Sequence, residues 1–74
     1  MKVTVKLFAS FRAGRFDIET VAYPLGTTVA DVADSLKLPS NELGIMMINN
    51  RHVKLDSLIA DGDTLALFPL LGGG

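Results

Sequence analysis

Two short segments, one near each end of the chain, alternate apolar and polar residues more strictly than anything between them. Lys2-Val3-Thr4-Val5-Lys6-Leu7 puts Val3, Val5 and Leu7 on one side, and the segment from Thr64 to Phe68 behaves in the same way. A period of two marks a strand with one buried face. With 74 residues the chain has room for one modest core, since a chain of this size buries only about 60% of its unfolded surface. Both segments are therefore expected at the centre of a single sheet, side by side. If they run parallel, whatever follows the last strand leaves the sheet at one end as a projecting arm.

The stretch between them reads as hairpin, helix and short hairpin. Ala9 to Gly14 is a connection with room for one helical turn, and Arg15 to Tyr23 is a second strand closed by Pro24-Leu25-Gly26. Thr28 is a good helix N-cap, with Asp31 three residues on, and Val29, Val32, Ala33 and Leu36 form an apolar stripe at helical spacing. Leu38-Pro39 should end that helix, because a residue before proline is driven from the helical region. Ser40 to Gly44 reads as loop, Ile45 to Ile48 as strand, Asn49-Asn50 as a tight turn and Arg51 to Lys54 as its antiparallel partner. Leu55 to Ala60 has the look of a short helical turn, and Asp61-Gly62-Asp63 turns the chain into the last strand. Five strands and one main helix suit a mixed α+β sheet with the helix across one face.

The last strand runs into Phe68-Pro69-Leu70-Leu71-Gly72-Gly73-Gly74. Proline cannot donate a ladder hydrogen bond, so pairing should stop at about Pro69 and leave residues 70–74 as a tail beyond a domain of residues 1–69. From Pro69 onward such a tail could extend roughly 20 Å. Glycines without Cβ atoms let a carboxylate at Gly74 enter a narrow channel. Hydrophobic residues make up 49% of the chain, more than so small an interior hides. The surplus forms either a partner's docking patch or scattered surface residues.

Other chemistries find little footing. Seven basic and eight acidic residues are interspersed, with no block suited to nucleic acid or to a membrane surface. There is no cysteine, hence no disulfide or thiolate metal site, which fits a reducing cytoplasm. The N-terminus is a strand pattern rather than a signal peptide, and no apolar run approaches the ~20 residues of a membrane span. His52 is the sole histidine and reads as a strand surface residue. Asp61-Gly62-Asp63 lacks the further ligands of a calcium loop. Met46-Met47 should send one side chain to the core and the other outward, and Arg12 and Arg15 read as solvated charges. No nucleophile, base and orienting group assemble, so the chain is expected to be no enzyme and to bind no metal or cofactor.

Ala60-Asp61-Gly62-Asp63-Thr64-Leu65-Ala66-Leu67-Phe68-Pro69-Leu70-Leu71-Gly72-Gly73-Gly74 resembles the C-terminal end of the MoaD/ThiS sulfur carriers. These are ubiquitin-like β-grasp proteins with an acidic-glycine turn, an apolar strand, often Phe-Pro, and a terminal Gly-Gly. Val5-Lys6-Leu7-Phe8-Ala9-Ser10-Phe11-Arg12 resembles the opening of the molybdopterin-synthase small-subunit branch, and Ile48-Asn49-Asn50 stands where a Val-Asn-Gly turn is frequent. Two residues depart from the pattern. Leu70 replaces a common second proline, which should loosen the tail, and Asn50 replaces glycine.

The resemblance implies a carrier whose Gly74 carboxylate is adenylated by an E1-like adenylyltransferase using ATP and Mg, then converted to a thiocarboxylate. Gly72 and Gly73 would thread into the partner, with Phe68, Pro69, Leu70 and Leu71 as docking residues. For Phe68 a place in the core remains an equal alternative. The sulfur acceptor would be a synthase like the molybdopterin synthase large subunit. Carriers for thiamine thiazole, cysteine, tRNA thiolation or tungsten cofactor share the frame. So does a ubiquitin-like modifier that forms isopeptide bonds, and a plain interaction module is a third class.

Overall fold

The computed structural model describes residues 1–70, so Leu71, Gly72, Gly73 and Gly74 lie outside the described residues. Among the described residues there are five strands: β1 (Lys2–Leu7), β2 (Ile18–Ala22), β3 (Leu43–Ile48), β4 (Arg51–His52) and β5 (Thr64–Pro69). One α-helix, α1 (Val29–Ser35), lies between β2 and β3 in the chain. The sheet order is β2-β1-β5-β3-β4. The first and last strands are the central pair and run parallel, with Val5 opposite Leu65 and Leu7 opposite Leu67. The other three pairings are antiparallel. The alternation at the two ends of the chain predicts this central side-by-side pair, and the mixed β-grasp sheet is the one the resemblance implies.

Alternation sorts the sheet into two faces. Val3, Val5, Leu7, Leu65 and Leu67 are fully buried and cluster with Val29, Val32 and Ala33 of α1. Phe11, Leu38, Leu43 and Ile59 complete that core, and Met46 and Ile48 pack on it. Each fully buried Leu or Val contributes about 1.5–3 kcal/mol relative to exposure. The neighbouring residues Thr4, Lys6, Thr64 and Ala66 point to the opposite face, which carries no helix.

The helix starts as its sequence predicts. Thr28 accepts from the Asp31 backbone N–H at 3.2 Å, and the Asp31 carboxylate accepts from the Thr28 N–H at 2.9 Å. This reciprocal cap satisfies two donors that the first turn leaves free. The segment read as a helical turn, Leu55 to Ala60, is not helical. It runs against the start of α1, where Val29 donates to the Ser57 carbonyl and Ala30 to the Leu55 carbonyl, while Ile59 donates to the Thr27 carbonyl. Those tertiary hydrogen bonds outweigh a weak local propensity.

The helix also ends earlier than Leu38-Pro39 suggests. Lys37 takes φ +59°, its N–H donates to Asp34 and the Leu38 N–H donates back to Ala33 at 2.9 Å. That is a Schellman stop built on lysine where glycine is usual. Arg15 then reaches the freed Leu36 carbonyl with Nε at 2.9 Å and donates a terminal nitrogen to the Phe11 carbonyl of the first connection at 3.2 Å. Arg15 is thus a staple between the first connection and the helix end, not a free surface charge. β2 is shorter than the expected Arg15 to Tyr23, running from Ile18 to Ala22. Asn49 and Asn50 have φ of +52° and +68° and turn β3 into β4, the geometry of a type I′ hairpin.

Candidate functional site

The tail is launched from β5, and the sheet controls its root. Leu43 stands opposite Pro69 and Ile45 opposite Phe68, so Gly44 is the extra residue of a bulge in β3. Beyond Pro69 the Leu70 N–H still donates to the Glu42 carbonyl at 2.9 Å. Attachment therefore persists one residue past the point where the proline predicts its end. Leu70 in place of a second proline does not loosen this root. It supplies the N–H that holds it, a donor proline lacks.

The helix-free face beside that root is partly apolar. Phe68 belongs to it rather than to the core and is half-buried. Its ring stacks on Phe8 with centroids 4.1 Å apart and planes 9° from parallel. The Arg12 guanidinium lies over Phe8 at 5.4 Å, donates Nε to the Leu7 carbonyl at 2.9 Å and pairs with Asp17 at 3.5 Å. Arg12 therefore braces the aromatic pair. Lys6, Met47 and Ala66 border the same trough. Of the two methionines, Met46 packs on the core and Met47 faces the trough, as their alternation predicts.

A second, more apolar hollow adjoins it, lined by Ala9, Gly44, Ile45, Phe68, Pro69 and Leu70. Leu70 is 62% exposed and Ile45 39%. Phe68, Pro69 and Leu70 are thus brought together on one accessible apolar surface, where a partner could cover them. Leu71, Gly72, Gly73 and Gly74 lie outside the described residues. Sequence reasoning misses Phe8, Arg12, Ile45 and Gly44 as members of this surface. Only the parity of Phe8 with Lys6 hinted at its face.

The acidic turn serves the fold. Asp61 accepts from the Lys2 N–H at 2.7 Å, and Asp63 accepts from the Ala60 N–H at 2.8 Å and the Asn49 side-chain amide at 2.9 Å. Its carboxylates tie the start of β5 to β1 and to the β3–β4 turn. His52 is exposed on β4, opposite Met47. Among the described residues no group of three or more His, Asp or Glu could hold a metal, and no helix is long and apolar enough to cross a membrane.

The ThiS family profile matches residues 5–74. Among solved structures, SAMP1 from Haloferax volcanii is 30% identical with a TM-score of 0.76, and covers 100% of both chains. A Pyrococcus furiosus protein assigned as molybdopterin converting factor subunit 1 is also 30% identical, with a TM-score of 0.77 over 96% of this chain and 99% of its own. A chain from the complex of subunits 1 and 2 of molybdopterin-converting factor of Helicobacter pylori shares the fold at 17% identity, TM-score 0.66, with 100% of each chain covered. No curated protein matches the sequence.

Proposed function

We propose that this chain, which belongs to the ThiS family of ubiquitin-like sulfur carriers, carries sulfur as a thiocarboxylate on Gly74 and delivers it for molybdopterin synthesis. The observation that carries the reading is the family match, which runs through the glycine tail to residue 74. A carboxylate is a poor electrophile. An E1-like partner using ATP and Mg would convert it to an acyl-adenylate with loss of pyrophosphate. A persulfide sulfur then attacks the carbonyl carbon and expels AMP, and a second thiol reduces the resulting acyl disulfide to leave the thiocarboxylate. Sulfur passes to the acceptor inside a synthase resembling the molybdopterin synthase large subunit, and hydrolysis restores the carboxylate.

The chain's own part is delivery. Gly72 and Gly73 thread the partner's channel, where a Cβ would narrow the choice of backbone conformation. Phe68, Pro69, Leu70 and Leu71 dock beside its mouth. Ordering the tail costs about 1–2 kcal/mol per residue, and burial of this apolar surface offsets it.

Reconstitution with the adenylating enzyme, a sulfur donor and a molybdopterin synthase large subunit tests the pathway. Molybdopterin should form, in an amount limited by the chain supplied. Thiocarboxylate that forms but is never consumed by that subunit would assign the carrier to another acceptor. One finding favours a second reading, a protein modifier joined by isopeptide bonds through Gly74. The chain is 25% identical, with a TM-score of 0.75, to a structure described as H. volcanii small archaeal modifier protein 1, over 95% of this chain and 98% of its own. Slower-migrating covalent adducts of a tagged chain, lost when Gly73 and Gly74 are deleted, would support it.

A further inference from the structure

We propose that Gly44 and the Glu42 carbonyl are positioning elements for the terminal carboxylate. They fix the tail to the sheet through residue 70, so that reach is set by the last four residues alone. The inference rests on the reading above that Gly74 is the reacting residue.

A Cβ built on Gly44 would stand 2.7 Å from the Pro69 carbonyl oxygen, 2.9 Å from its carbon and 3.0 Å from the Leu70 Cα. All three are backbone atoms, so no side chain can swing aside to make room. Gly44 does not occupy the left-handed region. Glycine is needed there for close approach of two chains and not for an unusual turn. The bulge that places Gly44 against Pro69 also aims the Glu42 carbonyl at the Leu70 N–H. The close approach and the hydrogen bond fall on adjacent residues of the tail root, and together they define its exit.

From Leu70 the remaining residues, 71–74, extend at most about 14 Å. A partner that docks on the Phe8–Phe68 surface must hold its reacting centre within that radius. Shifting the root by a few tenths of an ångström or more would move the carboxylate off line without removing any docking side chain.

The test uses the full chain with its adenylating enzyme and follows pyrophosphate release. For Gly44→Ala the expectation is a fall in kcat of about tenfold, the size set by sub-ångström misplacement of a reacting group, with kcat falling by a larger factor than KM for the carrier rises. A separate comparison isolates the hydrogen bond. Leu70→Ala keeps the N–H and loses the side chain, so it should raise KM. Leu70→Pro loses the N–H as well and should also lower kcat. A folded Gly44→Ala variant with wild-type kcat, or identical kcat for the Ala and Pro variants, overturns the proposal. Amide exchange in the isolated chain gives an activity-independent arm. The Leu70 N–H should be protected in the wild type and exchange at least about tenfold faster in Gly44→Ala. Unchanged protection would refute the tether, whereas a protected wild-type amide in a chain that no enzyme adenylates would refute only the carrier reading.

Discussion

Replacing Phe68 with alanine separates a docking residue from a core residue by magnitude. A fully buried phenylalanine costs about 3–5 kcal/mol on truncation to alanine. Phe68 is half-buried on the helix-free face and its main partner is the Phe8 ring at 4.1 Å. The stacked pair contributes about 0.5–1.5 kcal/mol beyond area burial. Burial of most of the ring adds about 1–2 kcal/mol, a share of the ~1.5–3 kcal/mol of a fully buried side chain. The sum is about 2–3 kcal/mol. A chain of this length has a total stability of about 4–11 kcal/mol, so the variant should stay folded. Urea titration of wild type, Phe8→Ala, Phe68→Ala and the double variant gives the stacking term as a coupling energy. The expected coupling is about 0.5–1.5 kcal/mol. Affinity for the adenylating enzyme should fall by at least about tenfold in Phe68→Ala, as for a central aromatic anchor. A loss of 4 kcal/mol or more on this scale with unchanged affinity would return Phe68 to the core and refute the assignment of this face.

Two further substitutions probe the frame that holds the site. Lys37→Gly removes the Cβ penalty of a residue held at φ +59° and should raise stability by about 0.5–1 kcal/mol in urea melts; a loss would mean that the lysine side chain contributes more than its strained backbone costs. Leu67→Ala opens a cavity at a fully buried position on β5 and should cost about 2–5 kcal/mol, lowering the amount of folded carrier at physiological temperature. In vitro activity per folded molecule should stay near wild type, because Leu67 faces away from the docking surface.

The fold was legible where local pattern and tertiary environment agree. Strict alternation in Lys2–Leu7 and Thr64–Phe68 identified the central pair, whose parallel direction the structure supplies, Thr28 with Asp31 identified the helix start, and Asn49-Asn50 identified the second hairpin. The errors fall where a distant segment decides. Leu55 to Ala60 opens on a turn at Leu55-Asp56 and is then held by carbonyl and amide partners on the helix start, which no local window reveals. Lys37 ends the helix in a conformation that its residue type disfavours, so it gave no stop signal. Arg12 and Arg15 look like surface charges until the carbonyls of Leu7, Leu36 and Phe11 are placed beside them. At the site, Phe68 to Leu70 were found from the tail outward. Gly44 was not, because its role arises from a bulge register set across two strands far apart in sequence. The resemblance itself was carried by the tail and the first strand with its loop, and the family match covers both.

The account turns on one atom exchange. The wild-type chain, incubated with ATP, Mg, the cognate adenylating enzyme and a persulfide donor, is measured by intact mass and by fragmentation of its C-terminal peptide. One oxygen of Gly74 should be replaced by sulfur, and deletion of Gly73 and Gly74 should abolish the change. Full adenylation with no sulfur ever appearing at Gly74 would contradict the carrier mechanism.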